Sequence, residues 1–253
     1  MDEQLVLFTT DEGIATITLN RPDKGNALSA AMMAALKDAI GRASADDSVR
    51  VVVLAANGKI FSAGHDLEEM LEHQDHAWQQ AHFDRCSQLM LSIRDCPKPF
   101  IARIQGAAVA AGCQLVATCD LAYAVRTAKF GVNGINLGLF CSTPSVALSR
   151  AVLPKQALDL ALTGRLILAP RAAEIGLINA AVAVEDLDQT VMEAARAIAA
   201  KLPEAIGLGK SLFYRQAEMD IAEAYADAAA AMADNMDIAE TREMIAGFVK
   251  KSS

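Results

Sequence analysis

The chain has no excess of positive charge, no paired cysteine spacing and no long apolar run. Its 23 Lys and Arg are outnumbered by 31 Asp and Glu, which gives a net charge of −8 and a pI near 5.0. Nucleic-acid binding needs a basic face, so no nucleic acid is expected as a partner, although a local basic pocket for phosphates is compatible with this balance. The five cysteines, Cys86, Cys96, Cys113, Cys119 and Cys141, form no C-x-x-C pair. Their odd number in a long chain reads as reduced thiols, and a cytoplasmic setting is expected. No apolar run approaches the ~18 residues of a membrane span, so no membrane association is expected. Met1–Leu7 carries two acids and no Lys or Arg, unlike a signal or transit peptide. Repeats and low-complexity tracts are also missing.

What is present is strand and helix patterning. Leu5–Thr10 and Ile14–Leu19 flank Asp11-Glu12-Gly13 and read as a hairpin. Residues 20–26 are a polar turn, and Ser29 is placed to cap a helix through about Ala43. Val49–Ala55 is a short apolar run with little alternation, as in a strand covered on both faces. Residues 67–95 read as one helix stopped by Pro97 and Pro99. Phe100–Ile104 and Leu121–Val125 read as buried strands, with a turn at 105–110 and a helix at about 111–118. Beyond 142 the pattern is mostly helical, with a strand near Asn179–Val184. Strands mixed with helices, then helices only, describe an α/β core (1–195) with a helical C-terminal region (196–253).

Two runs stand out. Phe61-Ser62-Ala63-Gly64-His65-Asp66-Leu67 and Gln105-Gly106-Ala107-Ala108-Val109-Ala110-Ala111-Gly112-Cys113-Gln114-Leu115 each place small residues at a helix entrance after an apolar segment. Small side chains let a ligand approach backbone N–H groups. Two such sites together make an oxyanion hole, which holds negative charge on a reacting carbonyl oxygen.

Those runs, with Asn20-Arg21-Pro22-(x)4-Ala27-Leu28, Lys98-Pro99-(x)6-Gly106, Cys119-Asp120 and Ala169-(x)4-Glu174-(x)1-Gly176-Leu177-Ile178, resemble the crotonase, or enoyl-CoA hydratase/isomerase, superfamily over essentially the whole chain. The resemblance implies a spiral of β-β-α units with two nearly perpendicular sheets. It also implies C-terminal helices that build a homotrimer, or a hexamer of paired trimers, and an acyl-CoA thioester as ligand. Coenzyme A would enter as part of the substrate, with no separate cofactor. The thioester oxygen would lie between the N–H groups of His65 and Ala111. Adenine would lie near Ala27, Ala63, Asp66 and Leu67, beside Leu28, while Arg21, Lys24, Lys59 and Lys210 reach the phosphates.

The resemblance places the two glutamates of hydrating members on Gln114 and Gly134, so both carboxylates are missing. Gln orients water but takes up no proton, and each general acid–base group contributes roughly 10²–10⁴-fold. Efficient hydration by that route is not expected. Cys141 is a candidate nucleophile if its pKa is lowered, against the reading of a small apolar wall residue. The Gly-His-Asp turn resembles the methylmalonyl-CoA decarboxylase branch, which makes the His65 side chain a candidate beside its N–H. That branch's tyrosine falls on Cys141, and the reading in which only the N–H works is preferred. Asp66 and Asp120 read as turn or cap residues. His73, His76 and His82 read as a solvated helix face rather than a metal site.

The expected function is therefore an acyl-CoA enzyme, a lyase or isomerase of the hydratase family, that stabilises a thioester enolate with non-standard catalytic residues. A decarboxylase-like activity and a non-catalytic acyl-CoA binder are the alternatives.

Overall fold

The structure, a computed structural model, describes residues 4–252; Met1–Glu3, part of the start discussed above, and Ser253 lie outside that range. The chain opens with the expected hairpin, β1 (Val6–Asp11) and β2 (Ile14–Leu19), antiparallel with Asp11 opposite Ile14. Glu12 and Gly13 take positive φ angles of 47° and 79°, the conformation that a tight two-residue hairpin needs. Ser29 caps α1 (Ala30–Ala45) by accepting from the Met32 amide at 3.1 Å, a contact contributing about 1 kcal/mol. The buried face of α1 comprises Met32, Met33, Leu36, Ala39, Ile40 and Ala43, the spacing of an amphipathic helix.

Strand β3 (Val51–Ala56) has all six residues buried, which accounts for its lack of alternation. With β5 (Phe100–Ile104), β7 (Leu121–Val125) and β10 (Ala180–Val182) it completes a six-stranded sheet in the order β1-β2-β3-β5-β7-β10, parallel after the hairpin.

A second sheet of four short strands, β4 (Ile60–Ser62), β6 (Ala107–Val109), β8 (Lys129–Gly131) and β9 (Ile167–Leu168), runs in that order. The sequence reading takes 57–66 as loop and 105–110 as turn. The structure corrects both, because three-residue segments of small side chains carry too little periodicity to register. The strand–short strand–helix unit recurs as β3-β4 with α2 (Leu67–Glu72), β5-β6 with α4 (Ala111–Thr118), and β7-β8 with α5 (Ser142–Ala151). The expected chain of β-β-α units is thus present.

The helix expected over 67–95 is two helices. α2 ends at Glu72, and Asp75 starts α3 (His76–Asp95) by accepting from the Trp78 amide at 2.8 Å. The Gln79 side chain caps the break from the other side, donating to the carbonyls of Met70 and His73. The chain then runs through α6 (Pro154–Thr163), α7 (Ala169–Glu174), α8 (Leu187–Ala199), α9 (Pro203–Gln216), α10 (Ile221–Asp237) and α11 (Ala239–Ser252).

Candidate active site

The two small-residue turns meet. Leu28 bridges in parallel to His65, and the Leu28 amide donates to the Gly64 carbonyl at 2.7 Å. In a parallel pairing of this kind the groups flanking His65 face Leu28, so the His65 N–H faces the opposite side. Gly64 has φ +94°, and a Cβ added there would stand 2.8 Å from the Cβ of Ala110 and 3.1 Å from the amide nitrogen of Ala111. Only glycine fits on both counts. From the other turn, Gly112 packs on Ser62 so closely that a Cβ would penetrate the Ser62 carbonyl, and Gly106 stands likewise against Lys59. Ala110 itself has φ 49° and ψ −121°, a costly conformation for a residue with a Cβ. That bend starts α4 at Ala111, whose amide belongs to the first turn of a helix and is left without an intrahelical acceptor. The resulting geometry is backbone locked against backbone, with the helix macrodipole adding positive character at Ala111.

Around this pair lies most of the expected coenzyme-binding set. The Ala63 amide donates to Gly25 at 2.9 Å, beside buried Ala27 and Leu28. Asp66 caps α2 by accepting from Glu69 and pairs with Arg21 at 2.9 Å, so its reading as a cap holds. Lys24 pairs with Glu68 at 2.7 Å, and Leu67 is exposed beside them. The Glu68 carboxylate raises the Lys24 pKa. The Lys24–Glu68 pair is exposed and weak, so Lys24 is not committed against an incoming phosphate, whereas Arg21 is held by the buried Asp66 carboxylate.

Lys210 is the exception. It is buried on α9, and its Nζ donates to the carbonyls of Ile93 and Lys98 and to Oδ2 of Asp120 at 2.7 Å. All three protons are used, so the expected phosphate contact is corrected to an internal ion pair. Asp120 is likewise more than a turn residue, since it also accepts from the Phe100 amide and the Tyr214 hydroxyl at 2.7 Å each.

Gln114, on α4, is buried, and Cys86 Sγ donates weakly to its Oε1 at 3.8 Å. Gln114 borders a cavity of about 920 Å³ between α3, α4, α5 and α9, lined largely by apolar groups such as Met90, Val146 and Phe213. Gly134 has no spare room. A Cβ there would lie 2.5 Å from the Leu139 carbonyl and 2.8 Å from Cys141 Sγ. Cys141 is buried, accepts from the Gly134 amide at 3.3 Å, and has its pKa raised by burial. These features correct its candidacy as a nucleophile, which needs a lowered pKa.

The sequence reading misses a histidine line. His82 is fully buried, not solvated, and its Nε2 lies 3.0 Å from Nδ1 of His65. His82 Nδ1 lies 4.0 Å from Oε2 of Glu69. Burial first, then the neighbouring His82, pulls the His65 pKa down to about 4. Burial also lowers that of His82. The signal was available: 82, 86, 89, 90 and 93 form one apolar-spaced stripe on α3, and a histidine in such a stripe is buried.

With this geometry, the enoyl-CoA hydratase/isomerase family model matches residues 9–253. The chain belongs to that family. It is 41% identical over 250 residues to the rat mitochondrial enoyl-CoA hydratase domain-containing protein 3, covering 99% of this chain and 83% of that one. Its human counterpart is 42% identical over 240 residues, with 95% and 79% covered. Among solved structures, an enoyl-CoA hydratase from Mycobacterium smegmatis matches with a TM-score of 0.97 at 51% identity, covering 98% and 97% of the two chains. Human enoyl Coenzyme A hydratase domain-containing protein 3 matches with a TM-score of 0.95 at 40% identity, covering 98% of each chain. The α/β fold of this family member is thus that of the crotonase structures. The cytoplasmic expectation does not stand, because the rat, mouse and human relatives are named mitochondrial. The five cysteines are free and buried, which does not distinguish one compartment from another.

Proposed function

We propose that the chain is an enzyme acting on acyl-CoA thioesters, a lyase or isomerase that stabilises the enolate of its substrate with the amides of His65 and Ala111. The observation that carries this reading is the mutual locking of the two turns through Gly64 and Gly112. A pair of amides fixed before the substrate arrives costs no reorganisation when charge develops on the oxygen, and one such donor is worth roughly 10²–10³-fold in rate. Arg21 and Lys24 would take the coenzyme phosphates, with Ala27, Leu28, Ala63, Asp66 and Leu67 around the adenine. The acyl chain would pass Gln114 toward the cavity of about 920 Å³. Water addition by two carboxylates is disfavoured, because Gln114 takes up no proton and position 134 accepts no side chain. Enolate chemistry with a different proton carrier, including decarboxylation, fits better. Exposed apolar side chains on α6, α9 and α10, among them Leu158, Leu162, Phe213, Ile221 and Tyr225, suit self-association into a trimer or hexamer.

The test is incubation of the purified protein with enoyl-, malonyl-, methylmalonyl- and β-hydroxyacyl-CoA, with products followed by mass spectrometry and binding by calorimetry. Turnover of at least one class with micromolar binding is expected. Tight binding without turnover of any would reduce the protein to an acyl-CoA binder, and no binding would overturn the reading altogether.

A further inference from the structure

The cavity beside Gln114 is apolar along most of its length, but its two ends differ. Gln114 lines the near end, one turn along α4 from Ala111, whose amide is assigned to the thioester oxygen. From there α3 and α4 run side by side in the same direction. Cys86 Sγ donates to Oε1 of Gln114 at 3.8 Å, and one turn later Thr118 Oγ1 donates to Met90 Sδ at 3.5 Å. Arg94, one turn beyond Met90, therefore stands level with the end of α4. From Cys86 to Arg94 the helix rises about 12 Å, the reach of an extended chain of about eight to ten carbons.

α5 ends at the same place. Its last residue, Ala151, has its carbonyl 3.7 Å from where a Cβ on Gly176 would stand. Asn179, three residues on, exchanges two hydrogen bonds of 2.8 Å with Ala122, which follows the end of α4. Arg150, in the last turn of α5, thus lines the cavity at the Arg94 end.

The charges at this far end do not cancel. Arg94 donates to Oε1 of Glu218 at 2.6 Å and to the Tyr214 carbonyl at 3.3 Å. Asp120 is matched by Lys210 at 2.7 Å. Arg150 donates from Nη1 to the Val146 carbonyl at 3.0 Å and enters no ion pair among the described residues. Arg94 holds the Glu218 carboxyl below the usual carboxylate range, and Arg150 adds to this only at longer range. Two carboxylates, Asp120 and Glu218, thus face three cations, Arg94, Arg150 and Lys210, and the unmatched one is Arg150. A cation in the last turn of α5 complements the helix macrodipole. That role does not call for a guanidinium on a wall otherwise made by Met90, Leu91, Val146 and Phe213.

We infer that the cavity takes an acyl group that ends in a carboxylate, with the thioester at the amides of His65 and Ala111 and the far carboxylate on Arg150. The inference rests on the acyl-CoA reading above and deepens it, since the substrate class becomes the CoA thioesters of dicarboxylic acids. The apolar walls cover the methylenes, and the guanidinium fork suits a carboxylate bidentately. A shorter acyl group would hold its carboxylate in the apolar stretch, where an unpaired charge is costly. Arg150 therefore selects for chain length as well as for charge.

Calorimetry with matched pairs of CoA thioesters tests this: glutaryl against pentanoyl, suberoyl against octanoyl, and sebacoyl against decanoyl. At least one of the two long dicarboxylates should bind about tenfold more tightly than its monocarboxylic partner, and glutaryl-CoA should show no advantage. Arg150→Met should abolish the advantage while the octanoyl- and decanoyl-CoA Kd values stay within about threefold, and Arg150→Lys should keep part of it. An arginine that served only α5 would shift the unfolding midpoint of the variants and leave the ratio of affinities intact. No advantage for either long dicarboxylate, or an advantage that survives Arg150→Met, would overturn the inference and leave the acyl-CoA reading standing. Failure of every thioester to bind would remove that reading itself.

Discussion

The paired turns at 62–66 and 109–112 and the segment 133–141 both border α4, and both are crowded, yet crowding has opposite consequences in the two places. In the turns, Gly64 and Gly112 let one backbone press on another, and the outcome is two fixed amides. In the segment, Gly134 presses on the Leu139 carbonyl and Cys141 Sγ, and the outcome is a position closed to a carboxylate. A family can therefore keep a backbone device while its side-chain chemistry moves elsewhere. The amides depend on glycine at a few positions, whereas the proton carrier depends on whichever titratable group lies within reach.

The comparison breaks most severely if the turns are pried apart. Gly112→Val would drive a branched side chain into the Ser62 carbonyl, which cannot rotate away. A loss of about 3 kcal/mol or more is expected in urea unfolding, with loss of acyl-CoA binding in whatever remains folded. A wild-type midpoint would show that the turns are not locked.

Next in size is the response to acid. The folded pKa of His65, about 4, lies below its ordinary 6.5 because burial and His82 disfavour the cation. The neutral ring therefore contributes stability that is complete above about pH 6.5 and lost as pH falls through about 4, a few kcal/mol in all. His65→Gln should show a flatter stability profile across that window. Parallel profiles would contradict the burial of His65.

Lys210→Met should cost about 3 kcal/mol, because Asp120 loses the cation that compensates its charge. Acyl-CoA affinity should hold. The reverse outcome, unchanged stability with weakened binding, would restore Lys210 to the phosphates.

The smallest effect sharpens the contrast. Gln114→Glu replaces one buried side chain by another of the same length and should raise crotonyl-CoA hydration, on the order of tenfold to 10²-fold. Adding Gly134→Glu should bring no further gain and cost roughly 1–3 kcal/mol. A further rise in the double variant would mean that the 133–141 segment moves aside readily.

The parts of the molecule legible in the sequence were those whose pattern repeats or whose residue type is demanded locally. The hairpin at Glu12-Gly13, the Ser29 cap, the six buried residues of β3 and the two turns all belong here. The short strands β4, β6 and β8 escaped because three residues carry no period. The break at 73–75 escaped because its cap, Asp75, reads equally well as one more charge on a continuous helix. Lys210 was misplaced because its role depends on Asp120, ninety residues earlier, which no local pattern reveals. The histidine line failed for a different reason. His76 starts the same helix and His73 lies in the break before it, both among acids, and their company disguised His82 as a third solvated residue when its stripe partners were Cys86 and Leu89.

The central claim, that the amides of His65 and Ala111 hold the thioester oxygen, is tested most directly by the vibration of that carbonyl. Difference infrared spectroscopy of butyryl-CoA carrying carbon-13 at the thioester carbonyl, free and bound, isolates its stretch. Two amides aimed at the oxygen should move the band to lower frequency on binding. A bound band at the frequency found in water or higher would contradict the account.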